Sequence, residues 1–406
     1  MRTPICDTLG CDLPIFAFSH CRDVVVEVTK AGGFGVLGAA TFSPEQLEAE
    51  LRWIDQHTDG KPYGVDVIIP SKYDKEAETT TEDLEHLIPQ AHRAFMDKLL
   101  DDAGVPPLPP GERERIHREI IDGRGNMTPD GARRLLQVAL KHPQVKMVVS
   151  ALGSPPPDVV EQLRAHNIVI GAMCGKGEHA RRHVAAGVQV IIAQGTEAGG
   201  HTGEVATMVL VPQVVEAVEA LAASGAAHVA AHVVANSPAN VAGSGAAKVN
   251  QVAVLAAGGI ARGSQIAAAL ALGAQGVWCG TIWLGTRESE LDAFEKEALF
   301  AAKTEDAVRR RARTGKPVRM LKSRLSEAWE APGAPAYLPT PLQGILYNES
   351  HARVVRAKRR DMYSFPAGQV VGMLHHETSV REVMMQLQTE YLDAMERLYA
   401  IQPRDA

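Results

Sequence analysis

Val188-Gln189-Val190-Ile191-Ile192 runs without a break into Ala193-Gln194-Gly195-Thr196-Glu197-Ala198-Gly199-Gly200-His201-Thr202-Gly203. The first five residues read as a strand buried on both faces, a short apolar run stopped by glycine. A strand that ends in glycines and one histidine is the pattern of a site at the carboxyl end of a parallel strand. The glycines allow close backbone approach and positive φ. His201 is the one side chain of the turn that exchanges a proton near neutral pH. An ordinary strand-to-helix turn has a similar composition, so the neighbours decide.

Further along, Val252–Ala257 is another apolar run, followed by Gly258-Gly259-Ile260-Ala261-Arg262-Gly263. A helical segment, Ser264–Leu272, leads to Gly276-Val277-Trp278-Cys279 and then Gly280-Thr281. In a (β/α)8 barrel the loops after strands seven and eight, with a helix N-terminus, commonly bind phosphate. Each turn alone is a weak signal; the three together are a stronger one.

Eight strands are expected: Pro14–Phe18, Phe34–Leu37, Tyr63–Ile69, Val145–Val149, Ile168–Ala172, Gln189–Ala193, Val252–Ala257 and Gln275–Cys279. Between them lie stretches of helical period, among them Ser43–His57, Asp130–Lys141, Pro155–His166, Gly177–Ala186 and Ser264–Leu272. Ser43-Pro44-Glu45-Gln46 has the N-cap, the proline and the capping-box glutamine of a helix start. The alternation predicts an α/β fold, a (β/α)8 TIM barrel with an insertion after strand 3 and a helical C-terminal extension. The expected division is a barrel over 1–290, with insertions at 71–130 and 220–251, and a mostly helical extension over 291–406.

The remaining features bound the function. At 406 residues the chain exceeds the roughly 250 of a plain barrel, so additions are required. No stretch approaches the ~20 apolar residues of a membrane span, and the first residues carry no apolar leader. Five cysteines without a CxxC point to reduced thiols and a cytoplasmic setting. A net charge of −6 argues against nucleic acid.

In the additions, Val105-Pro106-Pro107-Leu108-Pro109-Pro110 reads as a stiff spacer. His228 and His232 stand four apart but lack further ligands, and His375-His376-Glu377 reads as surface, so no metal is expected. Residues 309–324 hold eight basic residues and no acid. They fit either a solvated helix face paired with acids such as Glu305 and Asp306, or an anion site, since arginine forks grip phosphate. Pro366-Ala367-Gly368-Gln369-Val370-Val371-Gly372 is a candidate to return to the barrel mouth. In Ser379–Tyr399, Val380, Val383, Met384, Leu387, Tyr391, Met395 and Leu398 fall at packing positions.

The sequence resembles the nitronate monooxygenase family, also called 2-nitropropane dioxygenases. The matching residues are Ala193–Gly203, Ala256-Ala257-Gly258-Gly259-Ile260, Gly273-Ala274-Gln275-Gly276-Val277 and Gly280-Thr281. Ala31–Gly38 and Gly64-Val65-Asp66 support them. The resemblance covers 1–70 and 136–290 well and the tail loosely. It implies an FMN-binding barrel in which Gln194 meets the flavin ring and Gly195, Gly199 and Gly200 lie beside it. Gly258, Gly259, Gly280 and Thr281 would hold the phosphate, with His201 catalytic. Ala17, at the end of the first strand, and Lys176, past the fifth, are further cofactor-side candidates; Lys176 reads equally well as a plain turn residue. Two positions depart from the family pattern: Asp66 stands where asparagine is common, and Ala17-Phe18-Ser19-His20 replaces a Pro-Met pair.

The resemblance implies a flavoprotein oxidoreductase that oxidises alkyl nitronates with O2 to a carbonyl compound and nitrite. Two relatives share the Glu-Ala-Gly-Gly-His turn and stay open as alternatives: an FMN-dependent acyl-CoA or enoyl-thioester oxidoreductase, and an NAD(P)H:quinone reductase. The basic segment favours the acyl-CoA reading. The expected partners are therefore a small molecule with O2 or NAD(P)H; a homodimer is left open.

Overall fold

The computed structural model describes residues 1–69, 84, 86–116, 126, 128–223 and 252–401. Eight parallel strands close into a barrel: β1 (Ile15–Ser19), β2 (Phe34–Gly38), β3 (Tyr63–Val67), β4 (Val145–Ser150), β5 (Val169–Cys174), β6 (Val190–Gln194), β8 (Ala253–Ala257) and β9 (Gly276–Cys279). Each expected strand is present, its bounds within one or two residues of the sequence reading. The barrel closes where β1 pairs with β9, Phe16 opposite Trp278.

Alternation along each strand sorts the side chains into two cores. Phe16, Phe34, Val36, Met147, Ile192 and Leu255 fill the barrel interior. Ile15, Leu37, Val65, Val148 and Ile191 face outward and pack with the helices. Those helices follow the strands as expected, at Arg22–Lys30, Pro44–His57, Pro129–Ala139, Pro157–Ala165, Gly177–Ala185, Thr207–Ala223 and Gly263–Ala271. Ser43 accepts from Gln46 N while the Gln46 side chain accepts from Ser43 N, so the capping box forms.

A separate hydrophobic core joins the first insertion to the extension. Met96 and Leu100, on the insertion helix Gln90–Asp102, pack with Leu325, Trp329, Tyr347 and Val354. Arg353, nearly buried, donates to the carbonyls of Val105 and Pro106 and pairs with Asp97 and Asp101. The proline run is thus an anchored spacer. The acidic start of the insertion, at 71–83, lies outside the described residues, as do His228, His232 and all of 224–251.

The extension carries helices at Ala293–Ala301, Arg324–Ala328, Leu342–Arg356 and Val380–Ala400, but most of the arginine segment is not helical. It forms an antiparallel pair, β10 (Ala307–Arg310) and β11 (Val318–Leu321), and β11 also pairs with β7 (Gly200–His201). The helix-face reading of 309–324 is therefore corrected. Val308, Val318 and Met320 supply the β-branched and apolar content that a hairpin needs, and Gly315 turns with φ +78° between the strands.

The last helix corrects a second expectation. Val380, Met384 and Leu387 are buried, but Met395 and Leu398 are 43% and 44% exposed. The helix crosses Gly263–Ala271 near its middle, where a Cβ on Gly263 would stand 2.2 Å from Leu387 O and Tyr391 N. Its final turns run past that crossing. Among the described residues no helix is long and apolar enough to cross a membrane.

Candidate active site

β6 ends at Gln194, whose position alternates with Ile192 and so faces the barrel interior at the carboxyl mouth. The chain then turns sharply. Gly195 N donates to Ala257 O at 2.9 Å, tying the turn to the end of β8. Glu197 reaches across to cap the helix Thr207–Ala223: its carboxylate accepts from Thr207 N and, at 2.9 Å, from Thr207 Oγ1. An acid at a helix N-terminus is favourable there, so Glu197 is a structural cap.

The glycines of the mouth divide into two kinds. A Cβ on Gly195 would sit 2.1 Å from Thr207 Oγ1, and one on Gly199 would sit 2.8 Å from Ala367 C. One on Gly258, at φ +96°, would sit 3.0 Å from Ala198 N. These three are glycine because protein packs on them. Gly200 meets nothing within 4 Å, and Gly280 meets only Phe18 O at 3.9 Å. Protein does not pack closely on those two, and at Gly200 φ +79° by itself favours glycine. Gly259, at φ +72°, is in ordinary contact with Glu197.

Two groups at the mouth already have protein partners. The N-terminus of the helix after β8 is already occupied, because Gly263 N donates to Glu390 Oε2 at 2.9 Å. That N–H is therefore not free for a phosphate. Thr281 Oγ1 accepts from Gly368 N at 2.8 Å, so the Pro366–Gly372 segment does return to the mouth. Gln369 N donates to Glu197 O beside it.

Ala17 packs in the outer core, and its methyl faces the helices; Phe18, like Phe16, is turned inward. Lys176 is exposed, as the N-cap residue of Gly177–Ala185. Its neighbour Gly175 lies against Gly203, so the β5 loop touches the far end of the His201 turn.

His201 lies in β7, opposite Val318, and its Nε2 is 3.0 Å from Thr314 Oγ1. Its ring is open to solvent on one side, with the extension on the other. Lost hydration, together with the charges of Lys316 and Arg313, holds the imidazole below its ordinary value. Both cations act in the same direction, so the sign does not depend on how dry the ring is. The side chain is neutral at pH 7. Thr314 Oγ1 also lies 3.3 Å from Lys316 O. If its proton goes there, it accepts from Nε2–H, and Nδ1 keeps the free lone pair.

Sequence reading did not single out Arg319. It is 8% exposed, and it donates through Nε to Thr196 O at 2.7 Å and through Nη1 to Ala307 O. It pins the hairpin to the turn of the site. Of its basic companions, Arg309 contacts Glu204 and Thr202 O, Arg310 pairs with Glu330, and Arg324 pairs with Asp361. The partners are not Glu305 and Asp306. In this arrangement Arg311 and Lys316 are the exposed cations of the hairpin. His375, His376 and Glu377 are on the surface, and Glu377 pairs with Lys296 at 2.7 Å. Among the described residues no cluster of metal ligands forms.

A family model described as nitronate monooxygenase matches residues 19–390. The chain belongs to the nitronate monooxygenase family. A protein of Mycobacterium tuberculosis that carries the name of a monooxygenase is 45% identical over 412 residues, covering 100% of both chains. A Staphylococcus saprophyticus protein named "Probable nitronate monooxygenase" is 28% identical, over 80% of this chain and 79% of its own. The crystal structure of nitroalkane oxidase from Streptomyces ansochromogenes aligns with a TM-score of 0.73 at 26% identity, covering 97% of this chain and 99% of that one. FabK from Thermotoga maritima, at 23% identity, covering 99% of this chain and 100% of its own, shares the fold with a TM-score of 0.68. Membership of the nitronate monooxygenase family makes this chain an FMN-dependent oxidoreductase.

Proposed function

We propose that FMN seats in this mouth and that the protein oxidises alkyl nitronates with O2 to a carbonyl compound and nitrite. The observation that carries the reading is the pair of open glycines, Gly200 and Gly280, with Gln194 and His201 at one mouth in a chain of this family. The phosphate would lie at Gly259, Gly280 and Thr281, with Gly258 shaping the turn beneath. The ring would lie over Gln194 beside Gly199 and Gly200. Bound FMN supplies the electron-accepting chemistry, which belongs to the cofactor.

The chain's own residues handle the proton and the charge. Neutral His201 removes the α-proton of a nitroalkane, giving the nitronate and an imidazolium. Lys316 and Arg313 make that imidazolium less stable but attract the anion formed beside it, so the two effects oppose. The wall formed by the extension narrows the mouth at His201, and Gln194 offers an amide donor from below.

The glycine division gives a paired test. Gly280→Val fills open space, so it should weaken FMN binding tenfold or more with little change in melting temperature. Gly195→Ala meets Thr207 and should cost about 1–3 kcal/mol of stability, the range for overpacking. Flavin fluorescence and thermal melts read the two effects; equal FMN affinity in Gly280→Val and wild type sinks the phosphate placement.

The enoyl-thioester reading remains the competitor, although Arg309 and Arg310 are committed to acids. Anaerobic stopped-flow of the FMN-loaded protein separates the readings. Ethylnitronate, NADH or NADPH, and an enoyl-CoA are mixed in turn while the flavin spectrum is followed. Flavin reduction by the nitronate alone supports the proposal. Flavin reduction by the nicotinamide, followed by reoxidation with the enoyl-CoA, overturns it.

A further inference from the structure

Asp66 is the fourth residue of β3. Val65 and Val67 on either side pack outward against the helices, so alternation turns Asp66 into the barrel. It lies near the carboxyl end of the strand, paired with Gly38 on β2 and Val149 on β4. Val149 belongs to the interior core, and Gly38 contributes no side chain. The space above Gly38 is taken from β1: a Cβ there would stand 2.7 Å from the His20 ring and 2.9 Å from Phe18 Cζ. His20 Nδ1 is 3.0 Å from Gly38 O and donates to it, which fixes the ring.

Asp66 is 4% exposed, and its Oδ2 has no hydrogen-bond partner. A buried polar atom without a partner is rare in a native protein and calls for an explanation. Burial is the one cause acting on the carboxyl, and it raises the pKa well above the usual range. On β2 and β4 its paired residues, Gly38 and Val149, are uncharged. The titratable groups beyond are His20, at the end of β1, and Glu290, which is itself raised by burial and lowered by the charge of His20. An ionised Asp66 would be an unpaired charge in a dry interior, which is costly. The neutral acid is a donor with no acceptor for Oδ2 among the described residues.

We propose that Asp66 is a neutral carboxylic acid in the floor of the mouth, donating a hydrogen bond to an acceptor atom of the ligand held there. The acceptor is a carbonyl oxygen or ring nitrogen of the flavin, or an oxygen of the substrate's nitro group. This rests on the flavin reading only for the identity of the ligand. Asparagine would offer a neutral donor of the same size, and alanine none.

Infrared difference spectra of the wild type and Asp66→Asn at pH 7, without flavin, test the protonation state. The wild type should show the carbonyl stretch of a neutral carboxylic acid; carboxylate bands at that position overturn the proposal. FMN titration of the apoprotein, and anaerobic ethylnitronate titration of the loaded protein, then locate the acceptor. Asp66→Asn should bind as the wild type does, and Asp66→Ala should bind tenfold or more weakly in one of the two titrations. A loss in the FMN titration assigns the bond to the flavin, and a loss confined to the nitronate titration assigns it to the substrate. Asp66→Ala binding both ligands as tightly as the wild type overturns the proposal, as does Asp66→Asn falling to the level of Asp66→Ala. A wild type that takes up no FMN would instead refute the flavin reading and leave the infrared result standing. Thermal melts confirm that both variants are folded.

Discussion

His201→Ala should lose turnover of a neutral nitroalkane by ~10²–10⁴-fold, the usual worth of a positioned general base. FMN should stay bound, since the replaced side chain belongs to the wall of the mouth and the open glycines are untouched. On preformed nitronate the loss should be far smaller, because no proton has to be removed. The wild-type profile carries its own signature. His201 is held below the ordinary imidazole value of 6.5, so the neutral base persists as pH falls past that point. The acid limb of kcat/KM on nitroalkanes should therefore have its midpoint below 6.5 and should vanish in the variant. Equal losses on both substrate forms would make His201 an electrostatic or binding group. An acid limb that survives in the variant would place the base elsewhere.

Arg319→Met should cost about 2–4 kcal/mol of folding stability, through the buried carbonyls of Thr196 and Ala307 left without donors. Methionine keeps much of the aliphatic volume, so the loss isolates the polar contacts. Because Thr196 belongs to the turn of the site, β7 should also loosen from β11, and amide exchange in Gly200–His201 should accelerate. A loss under 1 kcal/mol in a denaturant titration would mean that water or another group replaces the guanidinium. Arg319→Lys is the informative companion: one ammonium cannot copy the planar fork, so it should recover only part of the loss.

The barrel was legible because its strands are short apolar runs set off by glycine, and those signals are local. The closing pair, β1 with β9, follows once eight such units exist. The hairpin was not legible. Arg309 and Arg310 mask the alternation of β10, and the second partner of β11 is Gly200–His201, more than a hundred residues earlier in the chain. Sequence also grouped Arg319 with its neighbours, because only burial distinguishes it from them. The glycines show the same limit. Gly195 and Gly280 look alike in sequence, yet a helix start crowds one and open space faces the other. Asp66 was visible as a departure from the family pattern, but its missing partner was not.

The mouth has an order of assembly written into it. Thr281 Oγ1 is met by Gly368, and His201 by Thr314, so both sides are finished by chain that leaves the ribosome after the eighth barrel strand. All eight strands are therefore made before either side of the mouth has its outer partner. A polypeptide cut short before Thr314 would lose both contacts at once, and with them the last helix, whose Val380, Met384 and Leu387 complete the packing outside the barrel.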